Sequence, residues 1–421
     1  MKKQYSIFLI TALLALLFSS CQKGDVYKTL IITGQGEHNW EYSSPVLKQI
    51  LDGSGMFSAE ILTAPAKGGD MSAFNPKFSK YKLVVLDYSG DSWSDATKAA
   101  FVEYVKNGGG VVVYHASCSA FPEWKEFNEM TGLGGFNGRD ESAGPFVYVS
   151  RDGQVVVDDT TKGAAGTVAE RNDFEVRTLN TEHPITKGLP VRWIQASDEM
   201  LGNLRGPGQN MEILATNSPR MQFRRSEAGA PGAGAPRVRP APPRFEPVLM
   251  AIKYGNGRIF NTLLGHADEG GGPAMQSVGF IATLQRGAEW AATGAVTQQV
   301  PYDFPTAAGP VLRPEFIPVT LDKAFEEIGS YDITKSTMYY TFIKSQIAKA
   351  GENEEALLDI EKKMVNVLKN PEATAEAKKL LLRELSWMGT DYCVQAIKDL
   401  SSDPELAESV EFALTRLQKV N

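Results

Sequence analysis

Residues 108–121, GGGVVVYHASCSAF, decide how this chain folds. Three glycines lead into an apolar run that predicts a buried strand, and the strand runs directly into His115. In open α/β sheets, ligands bind beyond the carboxyl ends of the strands. The chain has only 4 histidines in 421 residues, so a histidine at the end of this strand suggests a catalytic or ligand-binding side chain.

The residues before this stretch alternate short apolar runs with helical runs. Three further strands are predicted in TLIITG (29–34), AEILTA (59–64) and KLVVLD (82–87). Residues 43–53 and 94–110 predict amphipathic helices, the second with Ser94 as N-cap and Gly108 at its end. Strands separated by single helices predict an α/β fold with a doubly wound, mostly parallel sheet.

The later part of this domain adds strands and then closes with a helix. Strands are predicted in FVYVSRDG (146–153), EILATN (212–217) and PVLMAIKYGNGRIFNTLLGH (247–266). In the last of these, Gly255-Asn256-Gly257 supplies a hairpin turn. Residues 277–294 predict the closing helix, so we expect the α/β domain over residues 28–305. A Pro-, Ala-, Gly- and Arg-rich stretch at about 218–246 is interpreted as a mobile insertion, because it offers little apolar surface to bury.

The C-terminal part of the chain, residues 319–421, has a different pattern. Runs such as EEALLDIEKKMVNVLKN and ATAEAKKLLLRELSWMG have helical periodicity and are separated by short breaks. Paired helices predict a small all-α domain of the HEAT kind, and an irregular helical cap is the alternative. Its surface could bind a protein partner or a second copy of the chain.

The N-terminus, MKKQYSIFLITALLALLFSSCQK, has the features of a secretory signal. The apolar run Ile7–Phe18 is too short for a transmembrane helix. Cys21 follows two serines and resembles a bacterial lipoprotein acceptor; the alternative is a plain signal peptide with an incidental cysteine. We therefore expect residues 1–21 to be a lipoprotein signal with Cys21 lipidated. The protein would be extracytoplasmic and lipid-anchored, on the periplasmic or cell-surface side of a bacterial membrane.

Bulk composition excludes some classes of function. Net charge is −7 and no basic patch stands out, so nucleic acid is not an expected partner. Beyond Cys21 only Cys118 and Cys393 remain, so no disulfide framework is implied.

Three of the four histidines follow strands of the predicted sheet. His38 comes after the first strand, His115 ends the strand after the glycines, and His266 ends the last strand. We expect them to share one edge of the sheet. With the carboxylates of Asp198 and Glu199, they could bind a divalent metal, zinc before other ions, or act as general acid and base. The spacing does not choose between these.

Cys118 and His183 are weaker candidates for the functional site. Cys118 could be a nucleophile, but His115 takes the elbow position and no G-x-C-x-G surrounds the cysteine. His183 precedes a proline, a position that favours a role in organising a loop.

Several motifs, taken in order, resemble the ThuA-like (trehalose-utilisation) family over about residues 28–305. They are KNGGGVVVYHASCSAFPEWKEFNEMTGLGGFNGRDESAGP, EHPITKGLP, SDEM, EPVLMAIKYGNGRIFNTLLGH and GFIATLQRGAEWAATG. The resemblance implies a flavodoxin-like fold related to class I glutamine amidotransferases but without their nucleophile. It also implies a link to disaccharide use, notably through 3-keto sugars made by partner dehydrogenases.

The resemblance also implies a site. Its members would be His38, His115, Asp198, Glu199 and His266, with or without a metal. Aromatic and basic side chains near the motifs could bind a sugar: Trp40, Tyr114, Trp124, Trp193 and Arg139. Cys118, Ser119 and Asn172 depart from the family pattern, which allows an altered substrate or lost activity.

Three functions remain open. The first is an enzyme that acts on an oxidised or ordinary glycoside by hydrolysis, lyase cleavage or isomerisation. The second is a non-catalytic carbohydrate-binding lipoprotein whose helical repeats hold a protein partner. The third is a structural scaffold. The clustered histidines favour the enzyme.

Overall fold

The structure of the protein is a computed structural model that describes residues 26–218, 244–267, 272–316, 320–335 and 337–420. The chain divides into two compact units, Met1–Ile317 and Pro318–Asn421. The predicted signal with Cys21 lies outside the described residues, as does most of the predicted insertion. Within the described residues, no helix is long and apolar enough to cross a membrane.

In the residues that the structure describes, the first unit has eleven strands. They are β1 (Tyr27–Thr33), β2 (Phe57–Thr63), β3 (Leu83–Leu86), β4 (Gly110–Tyr114), β5 (Phe146–Val149), β6 (Val155–Asp158), β7 (Thr167–Thr178), β8 (Arg192–Gly202), β9 (Met211–Ser218), β10 (Pro247–Tyr254) and β11 (Gly257–Thr262). Nine form one sheet in the order β2-β1-β3-β4-β11-β10-β9-β7-β8, and β5 pairs with β6 in a separate hairpin.

The large sheet is mixed, with a parallel part and an antiparallel part. The strands β2-β1-β3-β4-β11 are parallel, and each later pairing from β11 through to β8 is antiparallel. The predicted α/β class is confirmed. Four reversals separate β11 from β8, so these two strands run in the same direction. The carboxyl ends of β1, β3, β4, β11 and β8 therefore meet at one edge.

Helices cover both faces of the sheet. They are α1 (Trp40–Gly53), α2 (Asp95–Lys106), α3 (Lys125–Thr131), α4 (Pro273–Gln276) and α5 (Val278–Thr293). On β1, Ile31 packs in the core beneath α1 and α5, while Leu30 and Ile32 pack in the core beneath α2 and α3. β3 and β4 are buried along their whole length, and burial on both faces explains why these two strands are apolar throughout.

Short sequence features such as caps and turns predicted the positions of many of these helices and strands. The side chain of Ser94 accepts a hydrogen bond from the backbone N–H of Thr97 at the start of α2, as expected of an N-cap. The hairpin between β10 and β11 turns at Gly255 and Asn256. α1 begins at Trp40, three residues before the predicted start, because the side chain of Asn39 caps it. The strands β6, β7 and β8 were not predicted from the sequence.

The second unit is helical in the residues that the structure describes. Its helices are α6 (Leu321–Ile328), α7 (Met338–Ala350), α8 (Glu354–Lys369), α9 (Ala375–Met388), α10 (Asp391–Lys398) and α11 (Ala407–Val420). α9 packs against α11, and α8 packs against α9 and α10, around a core of its own. A helical C-terminal region is therefore confirmed, and its HEAT character stays a prediction.

Candidate functional site

Four side chains converge at the carboxyl edge of the sheet. They belong to His38, His115, Glu199 and His266, and one nitrogen or oxygen of each lies within 4.8 Å of those of the others. His38 follows β1, His115 directly follows β4, Glu199 lies on β8 and His266 follows β11. Residues distant in the sequence thus meet at one point because their strands end at one edge.

The distances within this cluster are short. The Nε2 atom of His115 lies 3.0 Å from Nε2 of His38 and 3.2 Å from Nδ1 of His266. The Oε2 atom of Glu199 lies 3.1 Å from Nδ1 of His266, 3.6 Å from Nε2 of His38 and 3.7 Å from Nε2 of His115. The four atoms therefore lie close enough together to surround one ion.

His115 sits at the floor of the cluster. Its side chain is 1% exposed, whereas those of His38 and Glu199 are 23% and 16% exposed. Its backbone is in the left-handed region, with φ +45°, a conformation that costs energy in a residue other than glycine. Nδ1 lies 2.7 Å from the carbonyl oxygen of Leu263. If Nδ1–H donates to this acceptor, Nε2 is left with a lone pair that faces the cluster.

A backbone irregularity in β8 determines that Glu199, and not its neighbour Asp198, faces the cluster. The pairing of β7 with β8 shifts register on both sides of Asn172. Ser197 has φ +35°, and its N–H donates to Oδ1 of Asp173 over 2.8 Å. Successive strand residues point in opposite directions. Asp198 consequently turns into the core, and Glu199 turns to the histidines.

Asp198 accepts hydrogen bonds from backbone N–H groups directly behind the cluster. The carboxylate is fully buried and accepts hydrogen bonds from the N–H groups of Gly265 (2.7 Å) and His266 (3.0 Å). It also accepts from the N–H of Glu199 (2.8 Å) and from Nε2 of Gln195 (2.9 Å). Asp198 was predicted to be catalytic, but the structure places it behind Glu199 and His266.

His38 is the most exposed of the three histidines. The next residue, Asn39, donates its N–H to the carbonyl of Ala267 over 3.2 Å, which ties the His38 loop to the His266 loop. Trp40 is half-buried at the first turn of α1. Nδ1 of His38 is buried without a hydrogen-bond partner among the described residues.

Carboxylates dominate the electrostatics of this edge. Burial alone raises the pKa of Glu199, but the neighbouring imidazoles of His115, His266 and His38 outweigh it and lower that pKa well below its usual range. Burial raises the pKa of Asp87, at the end of β3, to about 6, although the hydroxyls of Ser43 and Ser44 oppose the shift. Among the described residues, no lysine or arginine forms an ion pair with Asp87, Asp198 or Glu199.

Comparison with known proteins identifies the family. The sequence profile of the ThuA family, described as trehalose utilisation, matches residues 28–291. The chain belongs to the ThuA family. All four members of the cluster lie within the matched residues, whereas the helical unit lies outside them.

Solved ThuA-like proteins extend the comparison. One from Parabacteroides merdae is 44% identical, and the match covers 70% of this chain and 100% of that one with a TM-score of 0.63. One from Bacteroides uniformis is 19% identical, and the match covers 65% of this chain and 94% of that one with a TM-score of 0.42. The comparison with curated proteins gave no match.

Within this ThuA-family domain, most of the side chains predicted to bind a sugar are buried. Tyr114 is 2% exposed and donates its hydroxyl to the carbonyl of Gly265. Trp193 is fully buried, with its ring centroid 5.3 Å from that of Phe304. Trp124 stacks on Phe127 with ring centroids 5.5 Å apart. These rings pack in the core and present little or no face to a ligand, unlike Trp40.

The guanidinium of Arg139 is likewise used in hydrogen bonds to groups of the protein. It is 3% exposed, and its guanidinium donates to the carbonyls of Ser119 and Ala120 and to the side chain of Asn128. The basic residue predicted to bind substrate oxygens therefore fixes the loop after β4.

Cys118 and His183, the weaker candidates from the sequence, do not join the cluster. The Cys118 thiol is fully buried, and burial raises its pKa, so it is a poor nucleophile. His183 accepts the N–H of Ile185 at Nδ1 over 3.2 Å and packs against Trp290. This arrangement supports the loop-organising role predicted for His183.

Proposed function

We propose that His38, His115, His266 and Glu199 hold a divalent metal, zinc before other ions, in an extracytoplasmic carbohydrate-processing protein. Its substrate would be a glycoside or disaccharide, including a 3-keto-glycoside, and its reaction a hydrolysis, lyase cleavage or isomerisation. The observation that carries the proposal is the convergence of four ligand-type atoms at the edge where the parallel strands end.

The geometry fits such an ion. Four ligands about 2.0–2.1 Å from a tetrahedral zinc ion lie about 3.3 Å from one another. Five of the six separations between these atoms run from 3.0 to 3.7 Å. The carbonyl of Leu263 holds the His115 ring, which is the outer-shell support expected for a metal-binding histidine.

Charge balance also supports a cation. Glu199 and Asp198 bring carboxylates to the cluster or directly behind it, and Asp87 brings a third buried carboxyl to the same edge. Buried charges are normally paired or bound to metals. Because no described lysine or arginine pairs with these groups, a divalent ion would supply the missing positive charge.

A divalent ion at this point that took a fifth ligand, a substrate oxygen or a water molecule, would supply Lewis-acid chemistry on a carbonyl or hydroxyl oxygen and would make that water more acidic. His115 forms the buried floor, so substrate would approach from the more exposed side, at His38 and Glu199. Trp40, two residues from His38, offers a half-buried ring to a sugar on that side. Without a metal, the same histidines and Glu199 would act as acid and base.

We also propose that the protein is a lipoprotein anchored through Cys21. This rests on the N-terminal sequence alone, in which a short apolar run and two serines precede the cysteine. Labelling with a radioactive fatty acid in a bacterial host should mark the parent chain and should leave Cys21→Ser unlabelled.

The first experiment is metal analysis of purified residues 22–421. We expect about one ion per chain, lost in the His115→Ala/His266→Ala double variant and kept in His183→Ala, which removes a histidine outside the cluster. Equal metal content in all three proteins would contradict the proposed centre, and so would no metal in the parent.

Turnover assays with 3-keto-glycosides then separate catalysis from binding. The metal-loaded parent should convert one of these compounds, and the double variant should not. A parent that binds the sugar without converting it would instead favour the carbohydrate-binding alternative. The sequence observation in favour of that alternative is that Cys118, Ser119 and Asn172 depart from the family pattern.

A further inference from the structure

The backbone of Gly265, directly before His266, is held on both sides by buried groups. Its N–H donates to Oδ2 of Asp198 over 2.7 Å. Its carbonyl accepts the hydroxyl of Tyr114, which is 2% exposed. We propose that Tyr114 and Asp198 are positioning residues that act through the Gly265 backbone to aim His266 at the centre. This inference rests on the proposed metal function.

Gly265 has little freedom of its own. Its φ is +95°, and a Cβ atom would lie 2.5 Å from the ring of Phe280. Only glycine fits here, and glycine alone does not restrict the backbone. The orientation of this backbone therefore depends on its hydrogen-bond partners.

Asp198 holds two successive peptides at once. One oxygen accepts the N–H of Gly265, and the other accepts the N–H of His266 over 3.0 Å. Gln195 fixes the carboxylate in turn, because its Nε2 donates to Oδ2 of Asp198 over 2.9 Å and to the carbonyl of Ala274 over 3.0 Å. The position of His266 is thus set from β8.

Each of the two partners is the sequence neighbour of another member of the cluster. Tyr114 precedes His115 at the end of β4, and Asp198 precedes Glu199 on β8. Tyr114 and Asp198 turn into the core, while His115 and Glu199 face the cluster. The backbone of one glycine therefore links three of the four ligands, which come from three strands.

The test is a matched pair of tyrosine variants. Tyr114→Phe removes only the hydroxyl that binds the Gly265 carbonyl. Tyr104→Phe removes the same kind of bond, because the hydroxyl of Tyr104 donates to the carbonyl of Gly110 over 2.9 Å, at the opposite end of β4. Both variants lose one tyrosine-to-glycine bond, which is buried at Tyr114 and part-buried at Tyr104, but only Tyr114 lies beside the cluster.

The first measurement is the zinc dissociation constant, by competition with a chromophoric chelator. Loss of outer-shell partners typically weakens metal binding 10–100-fold, so we expect about tenfold weaker binding in Tyr114→Phe. Tyr104→Phe should stay within about twofold of the parent, and melting temperatures of the two variants should be similar. Parental affinity in Tyr114→Phe, or equal loss in both variants, would overturn the inference.

A second measurement does not depend on metal. The chain has only 4 histidines, so imidazole ¹⁵N signals of the metal-free protein can be assigned by substitution. The His266 signals should shift in Tyr114→Phe and stay in place in Tyr104→Phe. If the parent binds no zinc, the metal function fails, and unchanged His266 signals would then overturn the positioning role as well.

Discussion

At the residue scale, Asp87 is a buried carboxyl whose ionisation opposes folding. Burial raises its folded-state pKa to about 6, above the value of about 3.9 for an unfolded chain. Between about pH 4 and 6 the unfolded chain loses this proton first, so the folded state holds more protons. The free energy of unfolding therefore falls as pH rises through this window, by about 2–3 kcal/mol in total.

Asp87→Asn removes this titration and keeps an oxygen that can accept from Ser43 and Ser44, which donate to Oδ2 of Asp87 over 2.6 and 2.7 Å. We expect the stability of the variant relative to the parent to increase from pH 4 to 6 and to level off above. Urea unfolding of both metal-free proteins at half-unit pH steps measures this. Parallel curves across the window would show that Asp87 has an ordinary pKa.

The candidate site shows what the sequence reveals about single residues. His38, His115 and His266 each follow a strand of the parallel part, and the strand-end rule brings them together. The same rule cannot separate Asp198 from Glu199, since the irregularity at Ser197 decides which side chain faces the histidines. Backbone irregularities of this kind depend on the partner strand and have no local sequence signal.

At the scale of elements, the close approach of α5 to the sheet depends on glycine. A Cβ atom on Gly287 would lie 2.1 Å from the ring of Phe260 on β11, which is fully buried. Alanine gains about 1 kcal/mol of helix propensity. Overpacking a filled core costs about 1–3 kcal/mol or more, so packing should outweigh propensity.

We expect Gly287→Ala to lower the melting temperature of the α/β unit by a few degrees. Gly53→Ala is the control, because Gly53 also lies in a helix and the nearest atom to its added Cβ would be 4.0 Å away. The control should leave the melting temperature unchanged or raise it. Equal shifts of the same sign in both variants would refute the packing argument.

Elements differed in how well the sequence predicted them. Helices with caps and strands buried on both faces were recognised, since their periodicity reflects burial. β7 and β8 were missed because they form a long ribbon of which only Glu175–Thr178 pairs with β9. The first half of β7, TVAERN, is largely exposed and rich in polar residues. A strand segment whose two faces both meet water shows no apolar alternation.

At the scale of the whole molecule, the two units have separate cores. The two clusters that line the sheet draw on residues up to Phe316, and the helical unit has a cluster of its own from Leu321 onwards. All four members of the site belong to the first unit. The ThuA profile likewise ends at residue 291, before the helical unit begins.

These observations predict that a chain ending at residue 316 folds by itself and binds the same ion. Its core is complete within the first unit, so domain-sized burial is retained. Calorimetry of the metal-free full-length protein should show two unfolding transitions, and the shortened chain should keep one of them at nearly the same temperature. Metal analysis should still find about one ion per shortened chain. A shortened chain that unfolds without cooperativity would show that the helical unit is needed for folding, whereas a folded but metal-free one would place part of the centre beyond residue 316.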